Sequence, residues 1–195
     1  MTSAIIAPTI TRVDLPATGG LALETHIVHS KGARAALALL RFATGFIFLW
    51  AFLDKAFGLG FSTPTARAWI SGGMPSQGFL TGDAVTGPLK PFFAAIASPA
   101  SDLLFMVGML GIGLAVIAGI GLRVSAVAGS VVLVLMYLAE WTFSANTAST
   151  NPLVDYHLIY ALALIVLALV SAGDTWGFGL AWKRLKIVQR MPWLI

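Results

Sequence analysis

The sequence predicts an all-α integral membrane protein: a four-transmembrane-helix bundle with a long extracytoplasmic first loop and an interfacial C-terminal helix. Three observations predict it. Four long apolar runs, at residues 34–57, 102–120, 122–142 and 152–172, occupy much of the 195-residue chain, and each is near the roughly 20 residues that span a bilayer core. Charged residues make up 10% and hydrophobic residues 58%, whereas soluble domains are about a quarter charged. Mean hydropathy is +0.89. The spans leave room for one bundle and no second globular domain. No cysteine is present, which excludes disulfides, thiolate metal sites, iron–sulfur clusters and haem attached through a C-x-x-C-H motif. Redox chemistry in this chain therefore needs a diffusible cofactor or one carried by a partner.

Residues 1–33 lack the basic start and continuous apolar core of a signal peptide, and they read as a flexible cytoplasmic arm. His26 and His29 on it have H-x-x-H spacing, but no third ligand is patterned beside them, so they read as solvated. On the first span, Arg41, Gly45, Phe48, Phe52 and Lys55 step by four, three, four and three, which places them on one helical face. The loop at 58–101 exceeds a simple connection. It contains a possible short helix from Pro64 to Ile70, a turn-rich stretch with Gly72, Gly73, Pro75 and Gly78, and an apolar piece from Pro91 to Ala97. Together they read as a lid.

Small residues let membrane helices approach closely. Gly111, Ala115 and Gly119 form such a stripe on the second span, and Ser125 with Gly129 forms one on the third. The few residues between these spans predict an antiparallel hairpin. The fourth span starts with Asn151 as N-cap and Pro152 at the first helical position. Residues 176–195 mix Trp176, Phe178, Trp182, Leu185, Val188 and Trp193 with four cations, the composition of a helix lying in the interface plane.

Lys and Arg counts set the orientation. Arg12, Lys31, Arg34, Arg123, Lys183, Arg184, Lys186 and Arg190 fall on the side of both termini, against Lys55, Arg67 and Lys90 on the other. Both termini are expected in the cytoplasm. The formal charge of +4 then faces anionic lipid headgroups rather than nucleic acid.

Ionisable residues in or beside a membrane raise the functional question first. Asp54 and Lys55 close the first span, Asp102 opens the second, Glu140 ends the third, and Asp155 with His157 begins the fourth, so four helices bring charge to one outer rim. Asp155 lies where a helix dipole favours an anion. It serves there as a helix-end carboxylate or as a proton-transfer group. His157, about two turns into the span and the single histidine of any span, either exchanges a proton with a quinone near neutral pH or is a satisfied structural residue. Arg67 and Lys90, with Lys55 beneath, either hold a small anion or neutralise Asp83 and the rim carboxylates. A haem with two histidine ligands is excluded by the histidine count; Met106, Met109 and Met136 read as packing. No metal or flavin site is implied. No carboxylate lies mid-span, which disfavours a proton-coupled transporter.

The run Phe48-Leu49-Trp50-Ala51-Phe52-Leu53-Asp54-Lys55, the loop run Trp69-Ile70-Ser71-Gly72-Gly73, the Gly111 to Arg123 hairpin, the Asn151-Pro152 to His157-Leu158-Ile159-Tyr160 start and the Pro192-Trp193 tail resemble the DoxX/DoxD-like membrane protein family. The resemblance covers most of the chain after about residue 33. It implies a four-helix bundle in a bacterial cytoplasmic membrane and, for the DoxD branch, a subunit of a thiosulfate:quinone oxidoreductase that works with a second subunit. On that reading Lys55 and Arg67 bind thiosulfate outside, a quinone enters near Trp50, Tyr137, Trp141 and His157, and His157 with Asp155 or Glu140 relays protons. The competing expectation is a non-catalytic accessory subunit of a respiratory or redox complex.

Overall fold

The computed structural model describes residues 23–141, 143, 151 and 153–195. Arg12 of the charge count, residues 1–22 of the arm, the end of the third span at Thr142 and the expected first helical position at Pro152 lie outside them. Among the described residues every regular element is helical: α1 (Glu24–Ile27), α2 (Lys31–Phe57), α3 (Pro75–Leu80), α4 (Lys90–Ile96), α5 (Pro99–Ala118), α6 (Leu122–Glu140), α7 (Tyr156–Leu169), α8 (Gly179–Arg184) and α9 (Lys186–Arg190). Single turns of 3-10 helix lie at Thr65–Arg67, Trp69–Ser71 and Pro192–Leu194.

Three helices, α2, α5 and α6, are long and apolar enough to cross a membrane. Each starts or stops on a local signal. Ser30 caps α2, its hydroxyl accepting from Ala33 N, and Gly58 ends that helix in the left-handed region at φ 65°. A side chain at Gly58 would place its Cβ 2.5 Å from Thr65 Cα, so glycine is required both by the turn and by the returning loop. A reciprocal capping box between Ser98 and Ser101 starts α5, with Pro99 in its first turn. That is three residues before the expected start at 102. The α7 helix is shorter, 14 residues or about 21 Å, and differs from expectation in its start. Asp155, rather than Asn151, is the N-cap. Asn151 Oδ1 instead accepts from Leu153 N and Val154 N, a local turn of the type that asparagine favours.

The helices pack in two principal pairs, α2 on α5 and α6 on α7, around Phe48, Met109, Ile112, Val116, Leu133 and Leu164. Apolar side chains also cover the outside: Leu104 is 76% exposed, Val127 69% and Leu169 70%. A surface of this kind suits lipid rather than water. The expected inner face of α2 is present, with Arg41, Gly45 and Phe48 buried and Phe52 packed on the core. The glycine stripe is corrected. Space is open beside Gly108 and Gly111, and the close approach is instead Gly45 against Gly113: a Cβ on Gly45 would meet Ile117 N at 2.9 Å, and one on Gly113 would meet Leu49 N at 2.7 Å. Gly129 does lie at a close approach, since a Cβ there would meet Leu164 Cδ1 of α7 at 2.5 Å, so it serves α6 and α7 rather than the α5–α6 hairpin.

The first loop folds into a cap. Its turn-rich stretch contains a true helix, α3, which lies on α5. The apolar piece is α4, and Phe93 joins Val85 and Ala139 in a second small core with Phe79, Leu80, Leu89 and Leu138 around it. The expected helix from Pro64 to Ile70 is two 3-10 turns. At the opposite end, the tail is not one interfacial helix: α8 and α9 break at Leu185, and Trp182 Nε1 bonds Leu194 O at 3.1 Å. Arg123 bonds Pro192 O at 3.2 Å, so the tail docks on the start of α6. Trp176, Phe178, Ile187 and Trp193 still point outward.

Arg41, 0% exposed, ties this tail end together. Helix ends leave carbonyls without partners. The guanidinium donates to Val116 O at 2.8 Å and to Ile117 O at the end of α5, to Ala172 O at 3.1 Å after α7, and to Thr175 O and Trp176 O at 3.3 and 3.0 Å. Its five-donor fork suits this task where a lysine would not. Beside it, Asp174 accepts from Glu24 N at 3.0 Å and pairs with Lys183 at 2.8 Å, while Glu24 accepts from Thr175 N at 3.0 Å. The last part of the expected flexible arm is therefore fastened to the bundle.

Candidate functional site

At the capped end, one carboxylate performs two tasks. Asp155 Oδ1 accepts from His157 N at 3.0 Å and Leu158 N at 3.3 Å, closing the first turn of α7. Its Oδ2 lies 2.7 Å from His157 Nδ1. A cap needs an acceptor two or three residues before the donors it serves, and the Asp-x-His spacing uses that geometry to bring the imidazole against the same group. His157 therefore lies at the second position of α7, not two turns inside it. An acceptor on Nδ1 assigns the proton of the neutral ring to that nitrogen. Nε2 is then the nitrogen that exchanges protons. His157 is 1% exposed, and Nε2 is buried with no hydrogen-bond partner among the described residues.

Glu140 closes the group from α6. Its carboxylate lies 3.5 Å from Tyr156 Oη, and its backbone carbonyl accepts from Thr86 of the cap at 2.8 Å. One ligand-capable atom from each of Glu140, Asp155 and His157 falls within 4.8 Å of the others. The set brings an imidazole and two carboxylates within reach of one another, groups that can hold or pass a proton, and its nitrogen and oxygen donors are also of the type that a divalent cation takes. Tyr156 stacks on His157 at 4.1 Å between ring centres and completes the group. The sequence reading missed it, although its position between Asp155 and His157 was the available signal.

The three aromatic residues expected to receive a quinone separate into two places. Tyr137 donates to Leu153 O at 2.9 Å and packs on Phe143. Trp141, with φ 43°, also packs on Phe143 and fills the space beside Gly87. Trp50 packs on Phe46 and Phe61, and among the described residues it makes no ring contact with that group. Aromatic side chains on one helix rotation do not converge when the loop that follows supplies a nearer ring, here Phe61.

Lys55 and Arg67 line one cavity of about 420 Å³ between the end of α2 and the cap, with Ser62, Ser71 and Gly73 on its wall. Lys55 Nζ donates to Ser62 Oγ at 3.3 Å. The neighbouring carboxylate is otherwise engaged: Asp54, 1% exposed, accepts from Phe61 N, Ser62 N and Ser62 Oγ at 3.1, 3.0 and 2.6 Å. Asp102 likewise serves structure, accepting from Ser76 N at 2.7 Å at the start of α3. Of the expected rim charges, Asp54 and Asp102 thus hold the cap in place, Lys55 lines the cavity with Arg67, and Glu140, Asp155 and His157 gather together.

No protein-family model, no curated protein and no solved structure matches this chain.

Proposed function

We propose that this chain is a four-span subunit of a quinone-linked oxidoreductase of the DoxX/DoxD type, in a bacterial cytoplasmic membrane with both termini in the cytoplasm. The observation that carries the reading is His157: an imidazole held at Nδ1 by a carboxylate, with Nε2 buried and lacking a partner among the described residues. A buried polar atom without a partner costs about 1–3 kcal/mol. A ligand that supplies the missing bond recovers it. Asp155 fixes the ring with Nδ1 against its carboxylate, so Nε2 can take a proton from Glu140 or the outer aqueous face and present it to an acceptor.

A quinone, when bound, supplies the two-electron acceptor and needs two protons. Two thiosulfates joining to tetrathionate supply the two electrons. In this chain Lys55 and Arg67 would hold the oxyanion, His157 with Asp155 would hold and deliver the proton, and Tyr137 and Trp141 would flank the head of the acceptor. Support for the topology comes from α7, which packs along α6, and from the cations. Lys31, Arg34, Arg123, Arg184, Lys186 and Arg190 lie at the tail end, and Lys55, Arg67 and Lys90 at the cap end.

The test is thiosulfate-dependent quinone reduction by the gently purified protein with its associated subunits, comparing wild type with His157→Ala and Lys55→Ala. His157→Ala is expected to lower the rate by about 10²-fold or more, the range of a general acid–base group, with the complex intact. An unchanged rate, or loss of the complex with no activity attributable to this chain, overturns the reading and leaves a structural subunit.

A further inference from the structure

The cation-lined cavity has an apolar neighbour. Although α5 and α6 are joined by a short turn, they touch far less than α2 with α5 or α6 with α7. The gap between them toward the capped end is a groove of about 260 Å³, lined by Phe79, Phe93, Leu104, Phe105, Leu135 and Met136. Leu104 and Leu135, both exposed, stand on the outer surface that faces lipid, so the groove can be entered sideways. Lys55, Pro75 and Phe79 belong to the walls of both cavities. Lys55 thus stands at a junction, with a polar chamber containing Arg67 on one side and a hydrocarbon-like slot on the other.

Two further observations define what fits. Among the described residues neither Lys55 nor Arg67 forms an ion pair, and the oxygens of Asp54 are occupied by donors from Phe61 and Ser62. Lys55 and Arg67 are the charged residues on the wall of the polar chamber, so its lining carries positive charge. Ser76, 5% exposed, lines the apolar slot and has a buried hydroxyl oxygen with no partner among the described residues. A wholly apolar occupant would leave both features unanswered. An inorganic oxyanion would leave the slot unfilled. Taken together the two chambers fall within the roughly 300–1,000 Å³ typical of small-molecule sites.

We propose that the two cavities joined at Lys55 form one binding site for an anionic single-chain amphiphile, with its headgroup against Lys55 and Arg67 and its chain in the groove between α5 and α6. The proposal rests on this geometry and not on the redox reading. The headgroup chemistry, an oxyanion, is shared with inorganic anions such as thiosulfate, so an amphiphile here would compete with them for the same two cations.

The experiment uses the full chain in nanodiscs of zwitterionic phosphatidylcholine and a fatty acid with a photoreactive diazirine near the end of its chain. Labelled residues are then mapped by mass spectrometry. Labelling is expected at Leu104, Phe105, Leu135 or Met136, and it should fall about tenfold in the Lys55→Gln, Arg67→Gln double variant, as expected for loss of charge-assisted contacts. The corresponding fatty alcohol should label the groove to the same low level as the double variant. Leu135→Trp, placed at the groove's outer edge, should block labelling with both cations present. Equal labelling by acid and alcohol would mean a groove that takes any lipid chain, and would overturn the proposal. Displacement of the probe by inorganic thiosulfate or phosphate at the probe's own concentration would make this a site for a free oxyanion, and would overturn it equally. Absence of label from the groove would do the same. None of these readouts depends on catalytic activity.

Discussion

At the tail end Arg41 and Glu24 bond to residues 75 to 151 positions away in the chain, whereas at the capped end Asp54 and Asp155 bond to residues two to eight positions away. The difference separates two uses of buried charge. A long-range bond from a buried guanidinium joins elements that nothing else in the sequence brings together, so its loss loosens several helices at once. A local bond from a carboxylate shapes only its own turn. Beside such bonds Lys55 and Arg67 line a cavity, and His157 Nε2 has no hydrogen-bond partner among the described residues. The stapled end is where stability concentrates, and the locally organised end is where a ligand can bind without dismantling the bundle.

The largest expected effect tests the staple. Arg41→Leu removes a donor fork shared among five carbonyls, and at about 1.5–3 kcal/mol for a hydrogen bond to a charged group, we expect a loss of at least about 3 kcal/mol. Arg41→Lys should fall between that variant and wild type. Unfolding by denaturing detergent, followed by helical circular dichroism, measures both. A Leu variant as stable as wild type would remove the contrast between the two ends.

A smaller effect is expected at Asp155, and it sharpens the contrast. Asp155→Ala deletes the cap of α7 and should cost about 1 kcal/mol. Asp155→Asn keeps a capping oxygen and so should stay close to wild-type stability, while it turns an amide NH2 toward His157 Nδ1 in place of an acceptor. The neutral ring should then carry its proton on Nε2 instead of Nδ1, which the 15N chemical shifts of His157 report. The same tautomer in wild type and Asn variant would show that the 2.7 Å contact does not set the ring's proton.

The smallest effect lies in a gap within the staple itself, because Glu24 Oε1 and Asp174 Oδ1 are buried without partners among the described residues. Burial pushes Glu24 above its ordinary value of 4.5, with the bonds from Thr175 pulling it back. A raised folded-state pKa means that the folded chain holds this proton more tightly than the unfolded one. The contribution is therefore complete below pH 4.5 and is lost as pH rises through the folded value. Glu24→Gln should flatten the stability profile across that window. A profile as steep in Glu24→Gln as in wild type would assign the pH dependence to another group.

Much of this was legible in the sequence. Apolar run lengths located α2, α5 and α6, and the stepping of Arg41, Gly45 and Phe48 identified the inner face of α2 because a helix's period is a local property. The gathering of Glu140, Asp155 and His157 was also legible, since antiparallel helices of similar length bring alternate ends together. What was not legible depended on partners. Spacing alone favoured Gly111, but whether a glycine faces a helix or open space depends on helix rotation, and Gly113 took the contact. Asn151 and Asp155 are both good caps, and the choice between them was made by where α7 can pack on α6. Trp50 was drawn away by Phe61, which belongs to a loop whose path no periodicity describes.

Arg41 also bears on how the molecule is made. The first long span must enter the membrane carrying a guanidinium that costs about 2.5–3.5 kcal/mol at the middle of a helix, and three of its acceptors, Ala172, Thr175 and Trp176, are synthesised more than a hundred residues later. Until they emerge, the span is provisional. It is held by neighbouring lipid, by water drawn in beside the charge, or by an insertion factor. A nascent chain stopped before residue 172 should therefore be cleared by membrane proteases faster than the full chain, and Arg41→Leu should reduce that difference, making one side chain the gate between insertion and completed assembly.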